Sequence, residues 1–174
     1  PNVPCNGVGD DVVHSPCRVG RRPILSTMRV MILCGGRGTR LREYTESRPK
    51  PMVEVGGRPI LWHIMKHYAH HGMADFVLCL GYKGAVVKEY FLRYEAMTHD
   101  FTVCLGRLGE HAPVEYHMDG GAVDRWRVKL ADTGEDAMTG ARIRRAARYL
   151  DPGDTTFAAT YGDGISDVDL GALL

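Results

Sequence analysis

No apolar run in this 174-residue sequence approaches the roughly 18 residues of a membrane helix, and no membrane partner is expected. Charge of one sign is missing too. The net charge of +1 gives no general electrostatic case for nucleic acid or a membrane surface. The five cysteines (Cys5, Cys17, Cys34, Cys79, Cys104) form no CxxC pair and are odd in number. Cys79 and Cys104 lie in apolar, strand-like runs, so buried thiols in a reduced, cytoplasmic compartment are expected. Residues 1–27 hold no apolar signal region and sustain no helical or strand period. They are read as a disordered N-terminal extension, with Met28 as a natural start. What remains, at 44% hydrophobic and 25% charged, suits one ordinary globular domain with a real core.

The chain is organised around Val30-Met31-Ile32-Leu33, a short apolar run that reads as a strand buried on both faces. Cys34-Gly35-Gly36-Arg37-Gly38-Thr39-Arg40 follows. Its glycines permit a sharp turn with N–H groups presented as an anion nest. Arg37 and Arg40 offer guanidinium forks to a polyphosphate, and Thr39 a hydroxyl. Lys50, stiffened by Pro49 and Pro51, is placed to neutralise charge that develops in phosphoryl transfer. Gly-Gly-x-Gly alone is more often a plain turn. It lacks the Rossmann fingerprint spacing, and no Gly-Lys-Ser/Thr follows, so a P-loop is excluded.

After a polar connection over 41–47, residues 52–55 alternate like a short strand and Gly56-Gly57 makes a turn. Pro59 is placed as the first residue of a helix carrying Ile60, Leu61, Ile64, Met65 and Tyr68, closed by Gly72. Its other face bears His63, His67 and His71. That i, i+4 spacing could hold a metal, but without acidic or cysteine ligands a solvated or hydrogen-bonded histidine face is expected instead. A second core strand over 76–80 ends in Gly81-Tyr82-Lys83-Gly84 and leads to a helix with Val86, Val87, Tyr90 and Phe91. This alternation predicts an α/β domain with a mixed, mostly parallel sheet flanked by helices, its ligand beyond the strands' carboxyl ends. Runs over 101–105, 114–118 and 126–130 are read together as an antiparallel β insertion, an arm or oligomer contact. Thr139 can cap a helix with Ile143, Ala146, Ala147 and Leu150 inward, and Arg144, Arg145 and Arg148 are read as its solvated face. A strand over 155–161 ends in Gly162-Asp163-Gly164. An isolated Gly-Asp-Gly is an Asx turn; beside a phosphate loop, Asp163 suits a Mg²⁺ ligand. Asp167 and Asp169 are expected to cap or begin a final helix.

The combination of Gly35-Gly36-Arg37-Gly38-Thr39-Arg40 with Arg48-Pro49-Lys50-Pro51-Met52 resembles the sugar-1-phosphate nucleotidyltransferases. Pro59-Ile60-Leu61-Trp62-His63, Gly81-Tyr82-Lys83-Gly84, Asp132-Thr133-Gly134, Met138-Thr139-Gly140 and Tyr161-Gly162-Asp163-Gly164 narrow it to the members that make CDP-glucose for deoxysugar synthesis. The resemblance implies a Rossmann-like nucleotidyltransferase domain over 28–174 and transfer of a cytidylyl group from CTP to α-D-glucose 1-phosphate. It implies that Leu33, Cys34, Gly35, Gly36, Arg37, Gly38, Thr39 and Arg40 wrap the nucleotide, with Arg40 and Lys50 catalytic. Ala137, Arg142 and Gly162 would contact the nucleotide and Asp163 would hold Mg²⁺. A homo-oligomer is expected of the whole protein, in which a further segment would carry the sugar site. The alternatives are another nucleotide (dTTP, UTP or GTP) or a subunit that holds a sugar nucleotide without turnover.

Overall fold

The computed structural model describes residues 28–36, 48–105, 114–117 and 124–173. Four strands form one sheet: β1 (Arg29–Leu33), β4 (Asp75–Leu80), β7 (Arg127–Asp132) and β8 (Phe157–Tyr161), in the order β7-β4-β1-β8. Every pairing within it is parallel. β1 is central, and its side chains divide by the two-residue period of a strand. Val30 and Ile32 pack with Leu61, Ile64 and Met65 of α1 (Ile60–His70) on one face. Met31 packs with Val77, Cys79, Ala131 and Ala146 of α4 (Thr139–Ala146) on the other. The chain thus crosses out to β4 over one face and returns to β8 over the opposite face. That places the topological switch between β1 and β8, where open parallel sheets take their ligands.

The sheet's amino-terminal edge is tied by charge. Arg29 is buried and pairs with Asp75, Asp151 and Asp154. Burial disfavours the Asp75 carboxylate, yet hydrogen bonds from Arg127 and Arg29, with Lys129 near, hold its pKa below the usual value.

Two further pairs are antiparallel: β2 (Glu54–Val55) with β3 (Arg58–Pro59), and β5 (Asp100–Val103) with β6 (Val114–His117). The predicted turn at Gly56-Gly57 is present, with positive φ at both glycines. Between β4 and β5 run α2 (Gly84–Leu92) and α3 (Tyr94–Thr98), and α5 (Leu170–Leu173) follows β8. Asp169 accepts the N–H groups of Gly171 and Ala172, the expected cap.

Four expectations are corrected. β7 is not part of the antiparallel insertion but the outer strand of the parallel sheet. Its alternation of Arg127 and Lys129 with apolar residues looks like an exposed ribbon, but both cations are spent on Asp75 of β4. Pro59 precedes α1 and pairs with Glu54. Thr139 is the first residue of α4, not its cap; Met138 holds that place without a side-chain cap bond. Cys104 is only partly buried, whereas Cys79 is fully so. The extension over 1–27 lies outside the described residues. No helix among the described residues is long and apolar enough to cross a membrane.

Candidate active site

The carboxyl ends of β1 and β8 open onto a cavity of about 390 Å³. Leu33, Cys34, Gly35, Gly36, Lys50, Ala137, Arg142 and Asp163 all line it. Eight residues expected at the site from sequence therefore converge on one hollow. Arg37, Gly38, Thr39 and Arg40 lie outside the described residues. Pro51, Met138, Thr139 and Tyr161 complete the wall and were not singled out as site residues. Pro51, Met138 and Tyr161 adjoin residues that were. Met138 and Tyr161 leave much of their apolar surface exposed at the mouth.

The floor is built from backbone. Cys34 N–H donates to the Cys79 carbonyl at 3.0 Å and Tyr82 N–H to the Gly35 carbonyl at 3.2 Å, lashing the segment after β1 to the end of β4. On the β8 side, Gly162 N–H donates to the Leu33 carbonyl at 3.0 Å. Gly162 is not itself a wall residue. A Cβ there would stand 2.9 Å from Cys34 Sγ and 3.1 Å from the Leu33 carbonyl, so its glycine is required by close packing. Burial first, then Cys79 and Asp163, pushes the Cys34 thiol far up despite an opposing pull from Arg142. At 1% exposure Cys34 packs as a small apolar side chain.

Lys50 opens a 3₁₀ turn, Lys50–Met52, whose Pro51 and Met52 are buried. The prolines stiffen this turn as the sequence suggests, and it presents Lys50 at the cavity. Its Nζ stands 3.7 Å from Asp163 Oδ2, just beyond β8. A cation and a carboxylate from distant segments thus meet in ion-pair contact on the cavity wall. Asp163 remains 42% exposed, and the long contact leaves its oxygens open to another cation.

Arg142 enters from below. Fourth in α4, it is 5% exposed. Nη1 donates to Leu80 O (3.1 Å), Thr133 Oγ1 (3.0 Å) and Gly134 O (2.7 Å), and Nη2 to Gly35 O (2.8 Å) and Glu135 O (2.9 Å). Burial lowers its pKa, but a guanidinium keeps its charge at neutral pH. It has no carboxylate in ion-pair contact among the described residues, although Asp132 and Asp136 are near enough to act on its charge. Arg145, read from sequence as solvated, reaches back to donate to the Thr133 carbonyl at 2.6 Å.

His63 and His67 bond the carbonyls of Val55 and Val168, as a hydrogen-bonded histidine face requires. Among the described residues no group of three or more His, Cys, Asp or Glu side chains could hold a metal. Asp163 belongs to no such group.

A doubly wound parallel sheet with paired glycines, a lysine and an aspartate at its switch point defines a nucleotide-handling α/β domain. Residues 29–118 match the Nucleotidyl transferase family, and the chain belongs to that family. It is 48% identical over 147 residues to glucose-1-phosphate cytidylyltransferase of Salmonella typhimurium (strain LT2), covering 84% of this chain and 54% of that protein. It is 44% identical over 143 residues to the probable glucose-1-phosphate cytidylyltransferase of Bacillus subtilis (strain 168), covering 82% and 53%. The chain spans about half the length of these relatives. The crystal structure of HddC from Yersinia pseudotuberculosis complexed with GMP-PN superposes with a TM-score of 0.52. It is 25% identical, covering 78% of this chain and 48% of that one.

Proposed function

We propose that the chain is the nucleotide-binding part of an enzyme that transfers a cytidylyl group from CTP to α-D-glucose 1-phosphate, releasing pyrophosphate. The observation that carries the reading is the meeting of Lys50 and Asp163 over the Gly35-Gly36 turn. The likeness to the two glucose-1-phosphate cytidylyltransferases selects CTP and glucose 1-phosphate.

In this reading a phosphate oxygen of glucose 1-phosphate forms a bond to the α-phosphorus of CTP. The bond from that phosphorus to the β-phosphate bridging oxygen breaks in line, and the electron pair leaves with pyrophosphate. The attacking oxygen is already anionic, so no side chain need remove a proton. Catalysis is positioning and charge neutralisation. Lys50 faces the phosphates from a stiff turn, Arg40 would add a second cation, and the glycine turn offers N–H groups that need no reorganisation. Gly35, Gly36, Ala137 and the packing at Gly162 shape the nucleotide cradle, with Arg37, Gly38 and Thr39 continuing it, and Arg142 supplies positive potential from beneath. Asp163 would hold Mg²⁺, which when bound neutralises phosphate charge. The reading takes the whole protein to be a cytoplasmic homo-oligomer that supplies CDP-glucose for deoxysugar and O-antigen synthesis.

The test is pyrophosphate release from CTP, UTP, dTTP, ATP and GTP with glucose 1-phosphate and Mg²⁺, using the whole protein. Lys50→Ala and Asp163→Ala serve as controls. Release that favours CTP and falls at least a hundredfold in both variants is expected for transition-state charge stabilisation. Release favouring another nucleotide would reassign the substrate. Tight CTP binding with no release would make the protein a sugar-nucleotide-binding subunit.

A further inference from the structure

We infer that Thr133 and Arg142 form a positioning pair that fixes the peptide between Gly35 and Gly36, and with it the direction of the Gly36 N–H at the nucleotide cradle. The inference rests on the nucleotide reading above and adds to it a residue, Thr133, outside the cavity wall.

A guanidinium has five N–H donors, four of them on its Nη atoms. In Arg142 those four meet five acceptors, and four of the acceptors are backbone carbonyls. Only the Nε–H makes no hydrogen bond among the described residues. Arg142 is therefore committed to the protein backbone before any ligand arrives. Of its acceptors, Gly35 alone belongs to the glycine turn. The others, Leu80 at the end of β4 and Thr133, Gly134 and Glu135 after β7, hold the guanidinium in place.

The consequence for Gly36 follows from peptide geometry. In a trans peptide the C=O of one residue and the N–H of the next point in opposite directions, and no described peptide is cis. The Gly35 carbonyl is drawn inward by Arg142 Nη2 and by Tyr82 N–H. The Gly36 N–H must then point away from the guanidinium, and Gly36 is exposed and lines the cavity. Two adjacent glycines have no Cβ to resist rotation of their shared peptide, so the orientation needs an external hold. The approach is so close that a Cβ at Gly35 or at Gly81 would fall on the guanidinium.

Thr133 locks the clamp. It is fully buried. Its one hydroxyl hydrogen goes to the Leu80 carbonyl at 2.6 Å, which turns an oxygen lone pair to Arg142 Nη1 at 3.0 Å. Its backbone is pinned at both ends, N–H to the Leu80 carbonyl and C=O to Arg145. Valine would keep the shape and lose both hydroxyl bonds, one of them to a charged donor.

The test uses the whole protein labelled with ¹⁵N-glycine, comparing wild type, Thr133→Val, Thr133→Ser and Arg142→Lys. Two quantities are measured: the nucleotide-free Gly36 amide signal and calorimetric affinity for CTP and pyrophosphate. In Thr133→Val the Gly36 signal should shift or split, and both ligands should bind about tenfold more weakly, the scale of one lost hydrogen bond to a charged group. Thr133→Ser should restore the signal and the affinities. Arg142→Lys, which keeps the charge but not the fork, should behave like Thr133→Val and serves in its place if that variant does not fold. An unmoved Gly36 signal in a folded Thr133→Val or Arg142→Lys protein would overturn the inference, as would a serine variant no better than valine. If wild type binds no nucleotide, the functional reading fails, while the Gly36 signal still decides whether the pair fixes the peptide.

Discussion

Replacing Arg29 with methionine should destabilise the fold by about 2–3 kcal/mol, although the side chain is far from the candidate site. Its side chain is 4% exposed and pairs with three carboxylates, Asp75 at 3.0 Å among them. Removing one partner of a buried pair typically costs about 3–5 kcal/mol, because the remaining charge is left uncompensated. Three features reduce that figure here. Asp75 keeps Arg127, with Lys129 Nζ 3.6 Å away. Asp151 is 68% exposed and can turn to water. Asp154 still accepts the Asp151 N–H at 2.8 Å. Methionine fills most of the arginine's volume, so no large cavity is added. Urea unfolding should show the loss at unchanged m-value, and the midpoint of thermal unfolding should fall by roughly 4–12 °C for a domain of this size. The pH dependence gives a second check. The folded pKa of Asp75 lies below its unfolded value of about 3.9. Its stabilising contribution is therefore fully present above that unfolded value and disappears as pH falls through the folded one. The difference between wild type and Arg29→Met should hold steady from pH 7 down to about pH 5 and shrink below pH 4. A loss under about 0.5 kcal/mol at pH 7, or one that grows on acidification, would refute the view that Arg29 is a buried electrostatic tie.

Gly162→Ala should destabilise by about 1–2 kcal/mol and weaken CTP binding, since the new methyl meets Cys34 Sγ and a backbone carbonyl. Adding Cys34→Ala should recover only part of the loss in urea unfolding, because the Leu33 carbonyl remains. Gly81→Ala should displace the Arg142 guanidinium and lower CTP affinity by about tenfold in calorimetry, with normal far-UV circular dichroism. At pH 8 Cys34 and Cys79 should stay unlabelled by a thiol reagent until the protein unfolds, Cys79 having a pKa pushed up to about 11 by burial. Cys104, which is partly exposed, should label in the native state; peptide mapping distinguishes the three.

The parts of the fold that could be read from sequence are those where one physical signal acts alone. Val30-Met31-Ile32-Leu33 has to be a strand buried on both faces, and its two sets of side chains do enter separate cores. β7 was misplaced because two signals overlap in it. Arg127 and Lys129 give it the polar alternation of an exposed ribbon, while their partner, Asp75, lies in another strand and cannot be identified by spacing. The site divides the same way. Lys50 and Asp163 are residue types whose chemistry identifies them, and the fold brings them together on the cavity wall. Arg142 was placed at the site by resemblance, but its work is done on carbonyl oxygens, which every residue carries and no sequence pattern marks. Thr133 could be quoted as part of a motif but given no role: a buried hydroxyl between a carbonyl and a guanidinium leaves no periodicity and no charge. Gly81 could be quoted as part of a motif, but the reason for it is the guanidinium of a residue far along the chain. Sequence therefore identifies the groups that would meet the substrate more readily than those that orient them. The orienting groups act through the backbone, and the backbone is the part of the chain that the sequence does not vary.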